Sequence, residues 1–165
     1  MKQKNMLFAV LLIISPMMCA SSPEPSRKDP LIITAEIAVG ELIDKITILQ
    51  IKLERIKDPA KLKNITLEYS LLSQTLSLNV PLSDELSTLI EQLLATNKKL
   101  WDIENAIRQK EADKEFDDGF IQLARSVYIN NRERARIKQL INIFVGSHLT
   151  EEKEYTRYEE PTHEK

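Results

Sequence analysis

From Glu41 to Val145 the apolar residues recur at helical spacing with few interruptions. A first helix is predicted over about Gly40 to Lys57, with Leu42, Ile46, Leu49, Leu53 and Ile56 spaced 4-3-4-3. Ile48 and Ile51 fall on its other side. A helix apolar on two sides is sandwiched, either inside a bundle or between subunits, so these two are the candidate interface residues. Asp58-Pro59 then starts a second helix, with Asp as N-cap and Pro at the first helical position. Its stripe is Leu62, Ile65, Tyr69, Leu72 and Leu76, and Asn79-Val80-Pro81 ends it.

Ser83 caps a third helix, with Asp84 and Glu85 placed to favour its dipole. Its seam runs Leu86, Ile90, Leu93, Asn97, Leu100, Glu104, Ile107, Glu111, in the 4-3 alternation of a coiled coil. Asp117-Asp118-Gly119 is expected to turn the chain. A fourth helix then runs from about Phe120 to Val145, stopped by Gly146. Two long helices joined by a short turn lie antiparallel. The expected fold is therefore all-α: an antiparallel bundle of about four helices with a long coiled-coil-like hairpin.

The long seam turns polar in its second half, at Asn97, Glu104 and Glu111, and helix four is interrupted at Asn130 and Arg134. A flank of Arg125, Tyr128, Arg132 and Arg136 runs beside it. In an antiparallel hairpin, Glu104, Arg108 and Glu111 are expected to approach Arg125 and Arg132. One reading is a salt-bridged surface, each pair worth about 0.3–0.5 kcal/mol. Another is a charged cleft that clamps an anionic small molecule. Its candidate residues are Glu104, Arg108, Arg125, Tyr128 and Arg132, with Lys45 or Arg55 from the first helix. A third is a partner-binding face. Asp44, near a helix start, reads as serving the dipole. Asn64-Ile65-Thr66 matches a glycosylation pattern but sits in mid-helix.

The chain's two ends depart from this pattern. Lys2 and Lys4 precede an apolar run from Met6 to Ile14, then Ser15-Pro16 and small residues at Ala20, Ser21 and Ser22. That is the layout of a secretory signal peptide, too short for a transmembrane span. The expected division is a signal peptide over 1–22, a disordered linker over 23–31, a helical bundle over 32–149 and an acidic flexible tail over 150–165. Periplasmic or secreted localisation follows, with only transient membrane contact. Lipoprotein anchoring through Cys19 is the alternative, against which Pro16 and Met18 occupy the positions where Leu and a small residue are usual.

Composition narrows the chemistry. One Cys, two His and three Gly leave no disulfide framework, no metal-ligand spacing and no glycine-rich phosphate loop, so neither metal nor cofactor is expected. Beyond residue 22 there are 21 basic and 25 acidic residues, a balance of −4. Nucleic acid is not an expected partner. A homodimer or another envelope protein is.

The stretches GELIDKITILQIKLERIKDPAKLKN (40–64), LWDIENAIRQKE (100–111), FIQLARSVYINNRERARIKQLIN (120–142) and GSHLTEEKEY (146–155) resemble a bacterial family of unknown function. Its members are small and helical, lack a leader, and in several cases are encoded near cell-envelope polysaccharide genes. The resemblance covers about 33–155 and implies an all-α domain with no assigned activity; the leader and linker are departures from it. ELIDKITILQIKLERI also resembles the first helix of all-helical chorismate mutases, which bind a dicarboxylate with Arg and Lys from several helices. The downstream helices do not follow that pattern. The expected function is thus a non-enzymatic interaction or accessory protein of the bacterial envelope. The alternative is an anionic-metabolite binder or a chorismate-mutase-like enzyme.

Overall fold

The computed structural model describes residues 30–154. The expected signal peptide and nearly all of the linker lie outside them, as does the tail beyond residue 154. Residues 30–38 carry no helix or strand, and Leu31, Ile32 and Ile33 are exposed. Four helices follow: α1 (Val39–Arg55), α2 (Pro59–Asn79), α3 (Asp84–Asp113) and α4 (Asp118–Val145). The fold is all-α, as the spacing predicts.

Local chemistry sets most of the boundaries. The Asp58 carboxylate accepts from the Ala60 and Lys61 amides, and Pro59 opens α2. The Ser83 hydroxyl accepts from the Leu86 amide at 3.2 Å. Gly146 takes a left-handed conformation, φ +65°, and closes α4. The hairpin turn differs from expectation. Asp117 is itself the N-cap, accepting from the Phe120 amide at 2.9 Å, so Asp118 and Gly119 belong to the first turn of α4. The reversal falls instead at Lys114, which is left-handed with φ 60°.

The helices alternate in direction. Gly40 and Asp44 of α1 meet Asn142 and Arg134 of α4, an antiparallel order. Asp44 and Arg55 meet Asn97 and Asp102 of α3, a parallel order. The apolar core at the end holding the start of α1 is Ile43, Leu86, Leu93, Ile137 and Ile141, with Leu76 and Val80 packed against it. α1 has 17 residues and α3 has 30, lengths of about 26 and 45 Å at 1.5 Å per residue. The outer part of the hairpin therefore has only two helices, and no residue between 101 and 129 is fully buried. That accounts for the polar second half of the seam: Glu104 and Glu111 lie where there is no multi-helix core to fill.

α1 packs against all three other helices. Its two apolar sides are thus used inside the chain. Ile51, a candidate interface residue, is 1% exposed, and Ile48 is half-buried. This corrects the expectation for Ile51: the bundle itself covers it, and it is not open to another subunit.

Close approach of α1 and α4 depends on Gly40. A Cβ there would lie 2.6 Å from the Lys138 carbonyl oxygen and 3.0 Å from Asn142 Oδ1. Replacing Gly40 with Ala is expected to destabilise the chain by about 2 kcal/mol, because overpacking against backbone outweighs the gain of about 1 kcal/mol in helix propensity. Urea unfolding measures it; a neutral or stabilising result would mean that the helices separate freely.

Candidate functional site

Three helices meet at a polar cluster inside the bundle. Asp44, on α1, is 3% exposed. Arg134 of α4 grips its carboxylate with two nitrogens, Nε donating to Oδ1 at 2.9 Å and Nη2 to Oδ2. Asn97 of α3 donates from Nδ2 to Asp44 Oδ1 at 2.8 Å and to Thr47 Oγ1 at 2.9 Å. The Thr47 hydroxyl donates to the Asp44 carbonyl at 2.8 Å. The Asp44 carboxylate, the Asn97 amide nitrogen and the Thr47 hydroxyl are all hydrogen-bonded, as low dielectric demands. The Asp44 hydrogen bond, with its charge, raises the Arg134 pKa above its ordinary value against the opposing effect of burial.

One turn along α4 the cluster opens to a rim. Lys138, with its side chain 9% exposed, donates to Glu41 and to Glu151, the latter at 2.8 Å. Burial works against its charge, but the bonds to Glu151 and Glu41 outweigh that, and its pKa stands above the usual lysine value. Glu151, from the segment after α4, also accepts from Lys153. Glu41, Asn131, Arg134, Lys138, Glu151 and Lys153 surround an open cleft of about 350 Å³.

Hydrogen bonds from Lys138 and Lys153 pull the Glu151 carboxyl from 4.5 down to about 2. A depressed carboxyl contributes to docking above its unfolded pKa and loses that contribution as pH falls. The segment after α4 is therefore expected to undock between about pH 4.5 and 2, seen as a step in the Glu151 and Lys153 amide shifts. Glu151→Gln should abolish that step; an unchanged step would show that another group controls it.

The sequence-derived candidates do not form one constellation. Lys45 pairs with Glu68 of α2 at 2.7 Å. Arg55 pairs with Asp102 and sits 6.0 Å from the centre of the Trp101 ring. Glu104 bonds Arg108 on its own helix at 2.7 Å, not Arg125. Glu111 pairs with Lys114 at 3.0 Å. Arg125, Tyr128 and Arg132 are exposed on α4, and Arg132 lines a smaller cleft, about 200 Å³, with Arg136 and Lys153. The separation has a simple cause: Lys45 lies near the middle of α1 and Arg55 at its end, and Glu104 and Arg108 lie on the hairpin beyond it.

A second feature is apolar. Ile65 is the only fully buried residue of α2. Leu67, Leu71 and Leu78, on the opposite side of that helix, are 62%, 55% and 76% exposed. Isolated exposed leucines are ordinary, but three along one face are an unpartnered stripe.

The match to known sequence families now decides what the chain is. A family model described as a family of unknown function, DUF6165, matches residues 33–162. The chain belongs to the DUF6165 family. No curated protein and no solved structure matches it. The DUF6165 chain thus brings an all-α fold without an assigned activity, and its site must be argued from its own residues.

Sequence reasoning marked Asn97, Asn130 and Arg134 as breaks in the seams, and the structure buries Asn97 and Asn130 and half-buries Arg134. It missed Asp44 as the group that Asn97 and Arg134 serve; Asn130 donates to the Ser126 carbonyl instead. It also missed Lys138, Glu41 and Glu151, which become one rim only when α4 crosses α1 at Gly40. Among the described residues no helix of this DUF6165 chain is long and apolar enough to cross a membrane.

Proposed function

We propose that this DUF6165 chain is an exported, non-enzymatic interaction protein of the bacterial envelope, working through the outer face of α2. The observation that carries this reading is the exposed stripe of Leu67, Leu71 and Leu78 on a helix whose other side is already packed. The polar residues favour it as well. Asp44, Arg134 and Asn97 are committed to one another, so this cluster offers none of the three as a nucleophile or base. Export rests on the Lys2, Lys4, Met6–Ile14 and Ala20–Ser22 layout of the leader.

A photo-crosslinking amino acid at position 71 of the full chain, expressed in its host, tests the reading. It is expected to give an adduct of discrete mass, whereas the same probe at the exposed Glu91 of α3 gives none. Only free chain from position 71 would overturn it.

One observation favours a second reading. Arg134, Lys138 and Lys153 converge on the 350 Å³ cleft, and Glu151 places a carboxylate among them. An anionic small molecule that displaces Glu151 fits that chemistry. A thermal-shift screen with carboxylate and phosphate metabolites distinguishes the two: stabilisation that Lys138→Gln abolishes supports the cleft, and no shift with any of them removes it.

A further inference from the structure

The outer face of α2 has an order that identifies its occupant. Ala60, Asn64, Leu67, Leu71, Gln74 and Leu78 recur at spacings of 4-3-4-3-4, and all six are exposed. This is a coiled-coil seam of nearly three heptads that the bundle leaves unused. Its pattern is apolar, polar, apolar, apolar, polar, apolar, and it reads the same from either end. A two-fold contact sets each residue against its mirror position on the partner, and this pattern then places apolar against apolar and amide against amide.

We infer that α2 pairs with α2 of a second copy of this chain, antiparallel, about a two-fold axis level with Tyr69. This rests on the proposed reading of α2 as the working surface. Leu67 then meets Leu71 of the second copy, and the two contacts around the axis form its apolar centre. Asn64 meets Gln74, two side-chain amides that can donate and accept in turn. Ala60 meets Leu78, small against large, so the ends fill evenly. A parallel pairing in the same register would stack Ala60 on Ala60 and leave a gap at one end.

The charges permit the antiparallel arrangement. Glu68, beside the centre of the seam, is already paired with Lys45 at 2.7 Å, so the axis carries no uncompensated charge. Lys61 and Lys63, near one end, fall opposite the Thr75 and Ser77 end of the second copy and away from its lysines. The paired Asn and Gln fix the register, since a shift of one heptad would set Leu against amide.

Mixed single-cysteine chains test both the partner and the direction. In a Cys19→Ser background, Leu67→Cys and Leu71→Cys full chains are oxidised separately and as a mixture. The mixture is expected to give a covalent dimer at least ten times more abundant than either chain alone. Identical positions lie about 6 Å further apart along the helices, beyond disulfide reach. Ala60→Cys mixed with Leu78→Cys should behave alike, which guards against one pair failing to fold; circular dichroism confirms helicity for each. Equal linkage of Leu67→Cys with itself, or no linkage in either mixture of folded chains, overturns the inference. A photo-adduct from position 71 to a different protein would overturn it too while leaving the interaction reading intact.

Discussion

Replacing Asp44 with Ala is expected to lower stability by about 3 kcal/mol, the lower end of the range for breaking a buried ion pair. The lower end applies because the Arg134 side chain retains 28% exposure, so water compensates part of its charge. The loss is concentrated in one residue because Asp44 serves three helices. Without it, Arg134 loses both its bonds to α1 and Asn97 keeps only Thr47. For a folded part of this size the melting temperature should fall by about 10 °C. Asp44 and Arg134 replaced together by Leu should recover most of that loss, since a buried pair and a well-packed apolar pair are close in energy. A fall as large in the double variant as in Asp44→Ala would mean that the pair contributes net stability.

The second large effect is a contrast between two leucines. Leu93 is 0% exposed at the centre of the core, and Leu78 is 76% exposed on the outer face of α2. Leu93→Ala is expected to cost about 3 kcal/mol, from lost burial plus the cavity left between α1, α3 and α4. Leu78→Ala should change the stability of the single chain by no more than about 0.5 kcal/mol. Urea unfolding in a Leu71→Glu background isolates the single chain. A cost at Leu78 similar to that at Leu93 would show that the outer stripe belongs to the protomer's own core.

Asp44 and Leu93 belong to what holds the molecule together, and Leu78 to what it offers outward. Much of the first part is legible in the sequence, because helix ends are written in local chemistry: Asp58-Pro59, Ser83 and Gly146 stand where the chain needs caps and stops. The start of α4 departs because three candidate turn residues stood together, and only the side-chain bond from Asp117 to the Phe120 amide selects among them. The start of α1 has no side-chain cap of its own. Its amides are met from across the bundle, Val39 by Ser147 and Gly40 by Asn142, which no local pattern announces.

The candidate site was less legible for the same reason. Asp44 looks like an ordinary acidic residue near a helix start until α4 brings Arg134 over it. The rule for a helix apolar on two sides was sound, but it pointed to α1, whose second side the bundle absorbs. α2 carries the unpartnered side, and its seam was hidden because Asn64 and Gln74 interrupt the leucines. Spacing alone cannot separate a polar interruption that marks a surface from one that sets a register; burial and symmetry can.

The most direct measurement is the mass of the full chain by multi-angle light scattering, with and without Leu71→Glu, at tens of micromolar. The account predicts twice the chain mass for the wild type and the single-chain mass for the variant, with unchanged helicity. A single-chain mass for both, or twice the mass for both, would contradict it.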